Sequence, residues 1–287
     1  MERICFVADS NSDIPTEICK ELDIRILPFS VEVDGRHYVE TVSFTPLEYY
    51  EILENAKEIP KTSGLSPTAF LECFCSMRDE GFDCLICTTM ASVGSSTYSA
   101  AVIAREWFYE QNPSSPFRIH IVDSKNYSIA YGWGVVSAAR LYREGRNDNE
   151  ILSFMETWFD RLVLYFVPFK LKYIKKSGRI SAGVQIVGDA LGIKPIIAIK
   201  YGEFINAGRA RGIKPSLGAT LDIFAEKYVP GTDYILMRGI NIAEVEYTAA
   251  IAEEIAGRPP AGIFFCGPTI TTNTGPYGVG LGYQAKK

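Results

Sequence analysis

Residues 4–13 read Ile-Cys-Phe-Val-Ala-Asp-Ser-Asn-Ser-Asp, a short apolar run followed at once by five small polar residues. Five consecutive apolar residues predict a strand that is buried on both faces, as the strands of parallel sheets are. A helix is predicted directly afterwards, at residues 15–22. A buried strand, a polar turn and a helix in that order form the repeating unit of an α/β sheet.

The same unit recurs through the first half of the chain. Thr45-Pro46 and Ser66-Pro67 mark two helix starts, because hydroxyl residues cap helices and Pro fits the first turn. Strands are predicted at residues 24–33, 84–89 and 118–122, and helices at residues 67–81, at residues 97–111 and from Pro46 onward. This alternation predicts a parallel sheet with helices on both faces.

The pattern changes after a predicted helix at residues 149–161. Tyr201-Gly202 separates two strand-like runs, which is typical of a β-hairpin. Strands are predicted at residues 162–169, 194–200, 204–208, 234–238 and 263–266, and helices at residues 182–191, 215–228 and 243–256. We therefore predict an α/β protein, with a parallel-sheet domain at residues 1–161 and an α+β domain at residues 162–287.

The composition is that of a folded globular protein. Hydrophobic residues make up 47% of the 287 residues and charged residues 22%, which excludes disordered, collagen-like and coiled-coil chains. Two long uncharged runs, at residues 84–104 and 262–285, are rich in Ser and Thr or broken by Gly and Pro, so neither predicts a membrane span. The apolar run at residues 4–8 is too short for a signal peptide. We expect a cytoplasmic protein without stable membrane insertion.

Metal and catalytic motifs are incomplete in the sequence. Cys84-x-x-Cys87 has the spacing of a zinc or redox pair, but no second pair or nearby His completes the set. The only histidines are His37 and His120, and no Gly-x-Ser-x-Gly motif accompanies them. Phosphate-binding loops are also missing, since Gly132-x-Gly134 lies inside a predicted helix. We predict reduced thiols, no catalytic residue, no metal and no cofactor.

Small hydroxyl residues gather at the predicted strand ends. They occur at residues 9–13, 62–64, 92–97 and 123–124. Ligands of open parallel sheets bind outside the carboxyl ends of the strands, and hydroxyl groups can hold a buried anion there. Ser, Thr, Asp and Asn are equally the ordinary helix caps. The pattern thus favours either an anion site or a set of caps.

Charge is unevenly distributed along the chain. The net charge is −5, yet residues 170–214 hold ten Lys or Arg against two acidic residues, a balance of +8. This segment indicates either an anionic partner or a solvated basic face. A nucleic-acid-binding or other anion-binding protein is the alternative for this segment, although we expect no nucleic-acid partner because the net charge is negative. The hydroxyl clusters leave open an acyl or phosphoryl hydrolase.

Eight short motifs give a more specific indication. In chain order they are Asp9-Ser10, Ile26-Leu27-Pro28, Pro60-Lys61-Thr62-Ser63, Ser95-Ser96-Thr97-Tyr98-Ser99-Ala100, Val122-Asp123-Ser124, Tyr173-Ile174-Lys175-Lys176-Ser177-Gly178-Arg179-Ile180, Ile193-Lys194-Pro195-Ile196 and Thr274-Gly275-Pro276. With these motifs nearly the whole chain resembles the DegV family, which is similar to the fatty-acid-binding subunits of bacterial fatty-acid kinase.

The resemblance implies a carrier rather than an enzyme. It implies a two-domain protein that encloses one long-chain fatty acid between the domains, with the carboxylate hydrogen-bonded by Thr62 and Ser95. The acid would be presented to a separate ATP-binding kinase subunit. The other residues at matching or neighbouring positions, expected to bind the carboxylate, are Ser63, Ser96, Arg179, Asn273 and Thr274. The basic segment would then serve partner docking through Arg209, Arg211 and Lys214, near predicted turns.

The chain departs from the family pattern at several of these motifs. Gly64-Leu65 stands in place of Gln-Pro, Ser96 and Ser177 each in place of Gly, and Asn273 in place of a His of the carboxylate network. An Asn side chain cannot gain or lose a proton near neutral pH. The resemblance therefore carries over to fatty-acid binding more readily than to kinase coupling.

Overall fold

The computed structural model describes residues 2–178, 180 and 192–286 of the chain. The strands are β1 (Ile4–Asp9), β2 (Ile24–Leu27), β3 (Ser30–Val33), β4 (Arg36–Val39), β5 (Lys61–Ser63), β6 (Cys84–Thr89), β7 (Arg118–Asp123), β8 (Leu162–Pro168), β9 (Ile193–Lys200), β10 (Glu203–Arg211), β11 (Tyr234–Arg238), β12 (Gly262–Phe265) and β13 (Gly278–Gln284). The α-helices are α1 (Thr16–Leu22), α2 (Pro46–Asn55), α3 (Pro67–Asp79), α4 (Thr97–Gln111), α5 (Ser128–Arg143), α6 (Asp148–Arg161), α7 (Lys172–Ser177), α8 (Ile213–Lys227), α9 (Ile242–Ala256) and α10 (Pro268–Thr274).

The first sheet is parallel and has the order β2-β1-β6-β7. Successive residues of β1 point to opposite faces, so Ile4 and Phe6 pack in the core that includes α5, and Cys5 and Val7 pack in the core of α3 and α4. Both faces are therefore covered by helices, and the predicted parallel sheet is confirmed.

The predicted strand at residues 24–33 is two strands that belong to different sheets. β2 pairs with β1, whereas β3 pairs with β4 and β5 in a small antiparallel sheet. Between them lies Pro28, which has no backbone N–H to donate to a ladder and so interrupts the strand. The small sheet was not predicted from the sequence.

The second large sheet has the order β10-β9-β8-β13-β11-β12 and is mixed, because β11 and β12 are parallel and the other pairs are antiparallel. Tyr201 and Gly202 form the predicted hairpin, with φ values of 52° and 80°. Strand β13 was missed, since Gly alternates along it. A Cβ at Gly278 would lie 2.7 Å from the Phe166 ring, so close packing against β8 requires glycine there.

Helix α5 lies between the two large sheets. Most of its residues are buried, and one core joins Phe6 of β1, Val135 of α5 and Met237 of β11. A Cβ on Gly132 would come within 2.2 Å of the Ser12 carbonyl oxygen, so the helix packs closely enough to require glycine. Helix α5 thus packs against both large sheets. The boundary predicted after residue 161 coincides with the step from α6 to β8 and stays a prediction.

Helix ends follow the predicted capping chemistry. Thr45 caps α2 in a capping box, in which the Glu48 backbone N–H donates to Thr45 and the Glu48 carboxylate accepts from the Thr45 backbone N–H. Ser66 caps α3 by accepting a hydrogen bond from the Ala69 backbone N–H. The helix predicted at residues 182–191 lies outside the described residues. Within the described ranges, no helix combines the length and apolarity that crossing a bilayer requires.

Candidate functional site

A cavity of about 460 Å³ lies between the second large sheet and the start of α5. Four side chains of neighbouring strands form its apolar wall: Leu164, Phe166, Ile197 and Ile199. Because these residues are two apart on β8 and β9, they share one face of the sheet. Polar residues line another part of the cavity, and they come from α10 and from the start of α5: Thr269, Asn273, Thr274 and Ser128.

The rings of Tyr127 and Phe204 complete the wall. They stack with their centroids 5.1 Å apart, and the Tyr127 hydroxyl donates to the Gly202 carbonyl oxygen at 3.0 Å. Both residues lie in contact with the cavity, as does Gly94. A Cβ on Gly94 would lie 2.2 Å from the Tyr127 hydroxyl, so this loop must be glycine to approach the ring.

Asn273 contributes an amide side chain to the polar part of the cavity. Its side chain is 9% exposed, and its Nδ2 donates to the Thr269 carbonyl oxygen at 2.8 Å. An Asn amide carries two N–H groups and one acceptor oxygen, so it is a neutral hydrogen-bond donor of the kind that can bind an anion. Thr274 instead donates its hydroxyl proton to the Ile270 carbonyl oxygen at 3.0 Å.

The sequence analysis missed Glu40 as a site residue, whereas Asp9 and Asp13 belong to the polar cluster at residues 9–13 that it identified. Glu40 accepts from the hydroxyls of Ser10 and Thr269, and Asp13 accepts from the Ser128 hydroxyl and the Gly267 backbone N–H. These hydrogen bonds join the turn after β1 to the start of α5 and the start of α10, which fixes the polar part of the cavity. No sequence motif indicates the role of Glu40, because this residue follows a short strand in an ordinary polar segment.

Loss of water raises the pKa of all three carboxyl groups. Burial raises the pKa of Asp9 to about 6, although its carboxylate accepts hydrogen bonds from the Met90 and Asn11 backbone N–H groups and the Tyr131 hydroxyl. Burial also raises the pKa of Asp13 and of Glu40, and neighbouring negative charge adds to the effect at Asp13. Burial therefore favours the protonated, neutral form of the three carboxyl groups.

The pKa of Asp9 predicts a pH-dependent stability. The unfolded chain releases this proton near pH 3.9, and the folded protein near pH 6. The folded state thus binds more protons between these values, and the free energy of unfolding falls by about 3 kcal/mol as the pH rises through this window. We expect calorimetry to find a smaller drop in Tm between pH 4.5 and 7.5 for Asp9→Asn than for wild type. Glu17→Gln, which removes an exposed carboxyl group, should show the same drop in Tm as wild type. A drop in Asp9→Asn as large as that of wild type would contradict the prediction.

The two predicted hydroxyl motifs meet at Gly64. A Cβ on this glycine would lie 2.8 Å from Thr97 Oγ1 and 3.4 Å from Ser95 Oγ. Ser95 Oγ accepts from the Thr97 backbone N–H at 3.2 Å. Thr62 pairs with Val31 and is half-buried, whereas Ser63 and Ser96 are exposed. The segment at residues 62–64 was predicted to be a strand end of the parallel sheet, which is wrong, since it belongs to β5 of the antiparallel sheet.

Only some of the residues predicted to bind the fatty-acid carboxylate line the cavity. Asn273 and Thr274 line it directly, whereas Thr62, Ser63, Ser95 and Ser96 are not part of its lining. Strand β5 contacts α10, and Ser95 follows the lining residue Gly94, so each motif lies next to an element or loop that lines the cavity. Arg179 lies outside the described residues.

The predicted docking residues are all exposed. Arg209 and Arg211 lie two apart on β10, the terminal strand of the described six-stranded sheet, and not in turns as predicted. The strand extends past Gly208 because its pairing with β9 continues to Arg211 after a register shift. Lys214 lies in the first turn of α8, 5.8 Å from the centre of the Tyr247 ring.

Comparison with known sequences identifies the family. The family model described as "Uncharacterised protein, DegV family" matches residues 3–286. The chain belongs to the DegV family. A DegV domain-containing protein of Caldanaerobacter subterraneus subsp. tengcongensis is 32% identical over 246 residues, which is 86% of this chain and 81% of that protein. The resemblance indicated by the eight motifs is therefore confirmed.

Solved DegV structures share the fold. A fatty-acid-binding DegV family protein of Thermus thermophilus is 27% identical, with a TM-score of 0.83 over 98% of this chain and 99% of that one. The fatty acid kinase B3 protein of Streptococcus pneumoniae, solved with linoleic acid, is 20% identical, with a TM-score of 0.84 over 100% of both chains. At such identity the second comparison establishes the DegV fold alone.

Proposed function

We propose that the chain binds one long-chain fatty acid in the 460 Å³ cavity, with its tail along β8 and β9 and its carboxylate near α10. The observation that carries the proposal is the cavity itself, which combines an apolar wall with buried polar groups. Its volume falls in the usual range for small-molecule sites, about 300–1,000 Å³. The fatty-acid-binding Thermus thermophilus relative supports the same ligand class.

The apolar wall supplies the affinity. A C16 tail has about 14 methylenes, and burial of each contributes about 0.8 kcal/mol, so full burial contributes on the order of 11 kcal/mol before the costs of association. The rings of Phe166, Tyr127 and Phe204 and the branched side chains of Ile197 and Ile199 offer the matching surface. A ligand held this strongly stays bound through purification.

The carboxylate needs hydrogen-bond donors to replace its water. We assign this role to the Thr62 and Ser95 hydroxyls and the Asn273 amide, with Ser63, Ser96, Thr274 and Arg179 as neighbours of these groups. Asn273 lines the cavity, and Ser95 adjoins it through Gly94. Binding is tested by titrating the delipidated protein with a fluorescent or isotopically labelled fatty acid.

The proposed role of the complex is presentation to a separate kinase subunit, with this chain as a cytoplasmic carrier and not an enzyme. The histidines do not compete for a catalytic role at this cavity, since neither His37 nor His120 lines it. Arg209, Arg211 and Lys214 offer exposed positive charge on neighbouring elements. Such charges steer association with an acidic partner surface.

Reversal of one charge should separate docking from lipid binding. We expect Arg211→Glu to lower acyl-phosphate formation with the cognate kinase subunit by roughly 10-fold at limiting carrier concentration, because the rim charge affects association. Fatty-acid affinity should not change, since Arg211 is exposed on β10 and away from the lining. Lys20→Glu, an exposed reversal on α1, is the control. Equal turnover in wild type and Arg211→Glu would contradict the docking assignment.

A further inference from the structure

Cys84, His120 and Asp148 form a second cluster of chemically active side chains. One ligand atom from each residue lies within 4.8 Å of the other two, and His120 Nε2 is 3.9 Å from Asp148 Oδ2. Cys84 is the first residue of β6 and Asp148 the first of α6. The cluster therefore lies toward the amino ends of the parallel strands, and none of its residues lines the fatty-acid cavity.

The sheet register explains why these residues meet. Strands β6 and β7 are parallel, with Cys84 opposite Arg118 and Ile86 opposite His120. Residues two apart on a strand share a face, so Cys84 and His120 lie on the same face of neighbouring strands. The capping box of Asn147 and Glu150 fixes the start of α6. Asp148, the first residue of this helix, lies beside Cys84 and His120.

Positive charge is already held at this cluster. Arg118 Nη2 donates to Asp148 Oδ2 at 2.8 Å and also to a carboxylate oxygen of Glu2, while the guanidinium group faces Cys84. Two carboxylates and one thiol thus converge on one cationic group. The Arg118 side chain is 45% exposed, so it can turn toward solvent if another cation takes its place.

Arg118 does not supply a hydrogen-bond partner to His120. Its Nε2 atom is buried and has no hydrogen-bond partner among the described residues. A neutral imidazole offers a lone pair at one ring nitrogen, and Nε2 is the nitrogen that lies beside Asp148. An unpartnered buried nitrogen beside a thiol and a carboxylate is the donor set of a transition-metal site.

We propose that Cys84, His120 and Asp148 bind one divalent transition-metal ion of the Zn²⁺ class, which displaces the Arg118 guanidinium. The mixed sulfur, nitrogen and oxygen donors favour Zn²⁺ over Mg²⁺ or Ca²⁺, which prefer oxygen alone. Glu2 also binds Arg118 but lies outside this group of ligand atoms, so the fourth position is left to a water molecule. On binding, the Cys84 thiol forms its sulfur–metal bond and releases its proton to solvent. The ion would tie β6, β7 and α6 together, independently of lipid.

The test uses tag-free, full-length protein treated with a chelator and then titrated with Zn²⁺ or Co²⁺. We expect one ion per chain, a thiolate-to-Co²⁺ charge-transfer band, and a rise in Tm of roughly 2–4 °C at saturating Zn²⁺. Cys84→Ser should remove the band, and Cys84→Ser and His120→Gln should each weaken Zn²⁺ binding by more than about 10-fold. Cys75→Ser and His37→Gln are matched controls that should bind as wild type.

Arg118→Gln gives the reverse effect, because it removes the competing cation. We expect it to tighten Zn²⁺ binding about 10-fold or more. The proposal is overturned if wild type shows no saturable binding, if His120→Gln binds Zn²⁺ as wild type does, or if Arg118→Gln weakens binding. His120 is partly exposed, so His120→Gln decides the question even if Cys84→Ser fails to fold.

Discussion

Asn273→Asp is expected to lower fatty-acid affinity more than any other single change. Asn273 is 9% exposed and lines the polar part of the cavity, so Asp would place a second carboxylate next to that of the ligand. Two buried carboxylates at close range cannot both stay ionised. An uncompensated buried charge costs about 3–5 kcal/mol, which corresponds to roughly 150- to 5,000-fold in affinity at pH 7.5.

Two controls distinguish this effect from a disturbed fold. Asn206→Asp makes the same change of charge at an exposed position of β10 and should bind as wild type. Binding by Asn273→Asp should recover partly near pH 5, because protonation of either carboxyl removes the repulsion. A folded Asn273→Asp protein with wild-type affinity at pH 7.5 would move the head group away from α10.

Loss of the Thr62 or Ser95 hydroxyl is expected to have the second largest effect. Each hydroxyl is assigned as a donor to the carboxylate, and a hydrogen bond to a charged group contributes about 1–3 kcal/mol. Thr62→Val and Ser95→Ala should therefore each weaken binding roughly 5- to 150-fold in titrations of delipidated protein. The fold should remain intact, since neither side chain belongs to a hydrophobic core cluster.

The matched controls lie close in sequence. Thr68→Val and Ser99→Ala make the same substitutions at exposed helix positions and should leave the affinity unchanged. Because Thr62 and Ser95 do not line the cavity, this experiment also tests whether they reach the ligand at all. Unchanged affinity in both variants would leave Asn273 as the head-group residue and exclude the two hydroxyls.

Most of the architecture followed from local sequence signals. Patterns of a few neighbouring residues predicted these elements. The apolar run at residues 84–89 is strand β6, and Thr45 and Ser66 cap α2 and α3. The failures involve long-range pairing. Strand β5 has only three residues, Lys61–Ser63, and exists because β3 pairs with it. Strand β13 reads as a loop, because glycine is rare in strands unless a neighbour leaves no room for a side chain.

The same contrast between local signals and long-range contacts applies to the candidate site. The hydroxyl clusters were visible as strings of Ser and Thr, and Asn273 was visible through the family resemblance. Glu40, by contrast, meets Thr269 only because the folded chain brings residues 229 positions apart together. Cys84 and His120 were likewise treated as unrelated, since only the parallel register of β6 and β7 makes them neighbours. Periodicity contains no information on such contacts.

The proposed function requires the cavity to hold one fatty acid. The most direct measurement is mass spectrometry of lipid extracted under denaturing conditions from purified protein, quantified against protein concentration. We predict close to one long-chain fatty acid per chain, and near-stoichiometric uptake by protein that has first been delipidated. If the purified protein contains no fatty acid and the delipidated, folded protein takes none up, the proposed function is wrong.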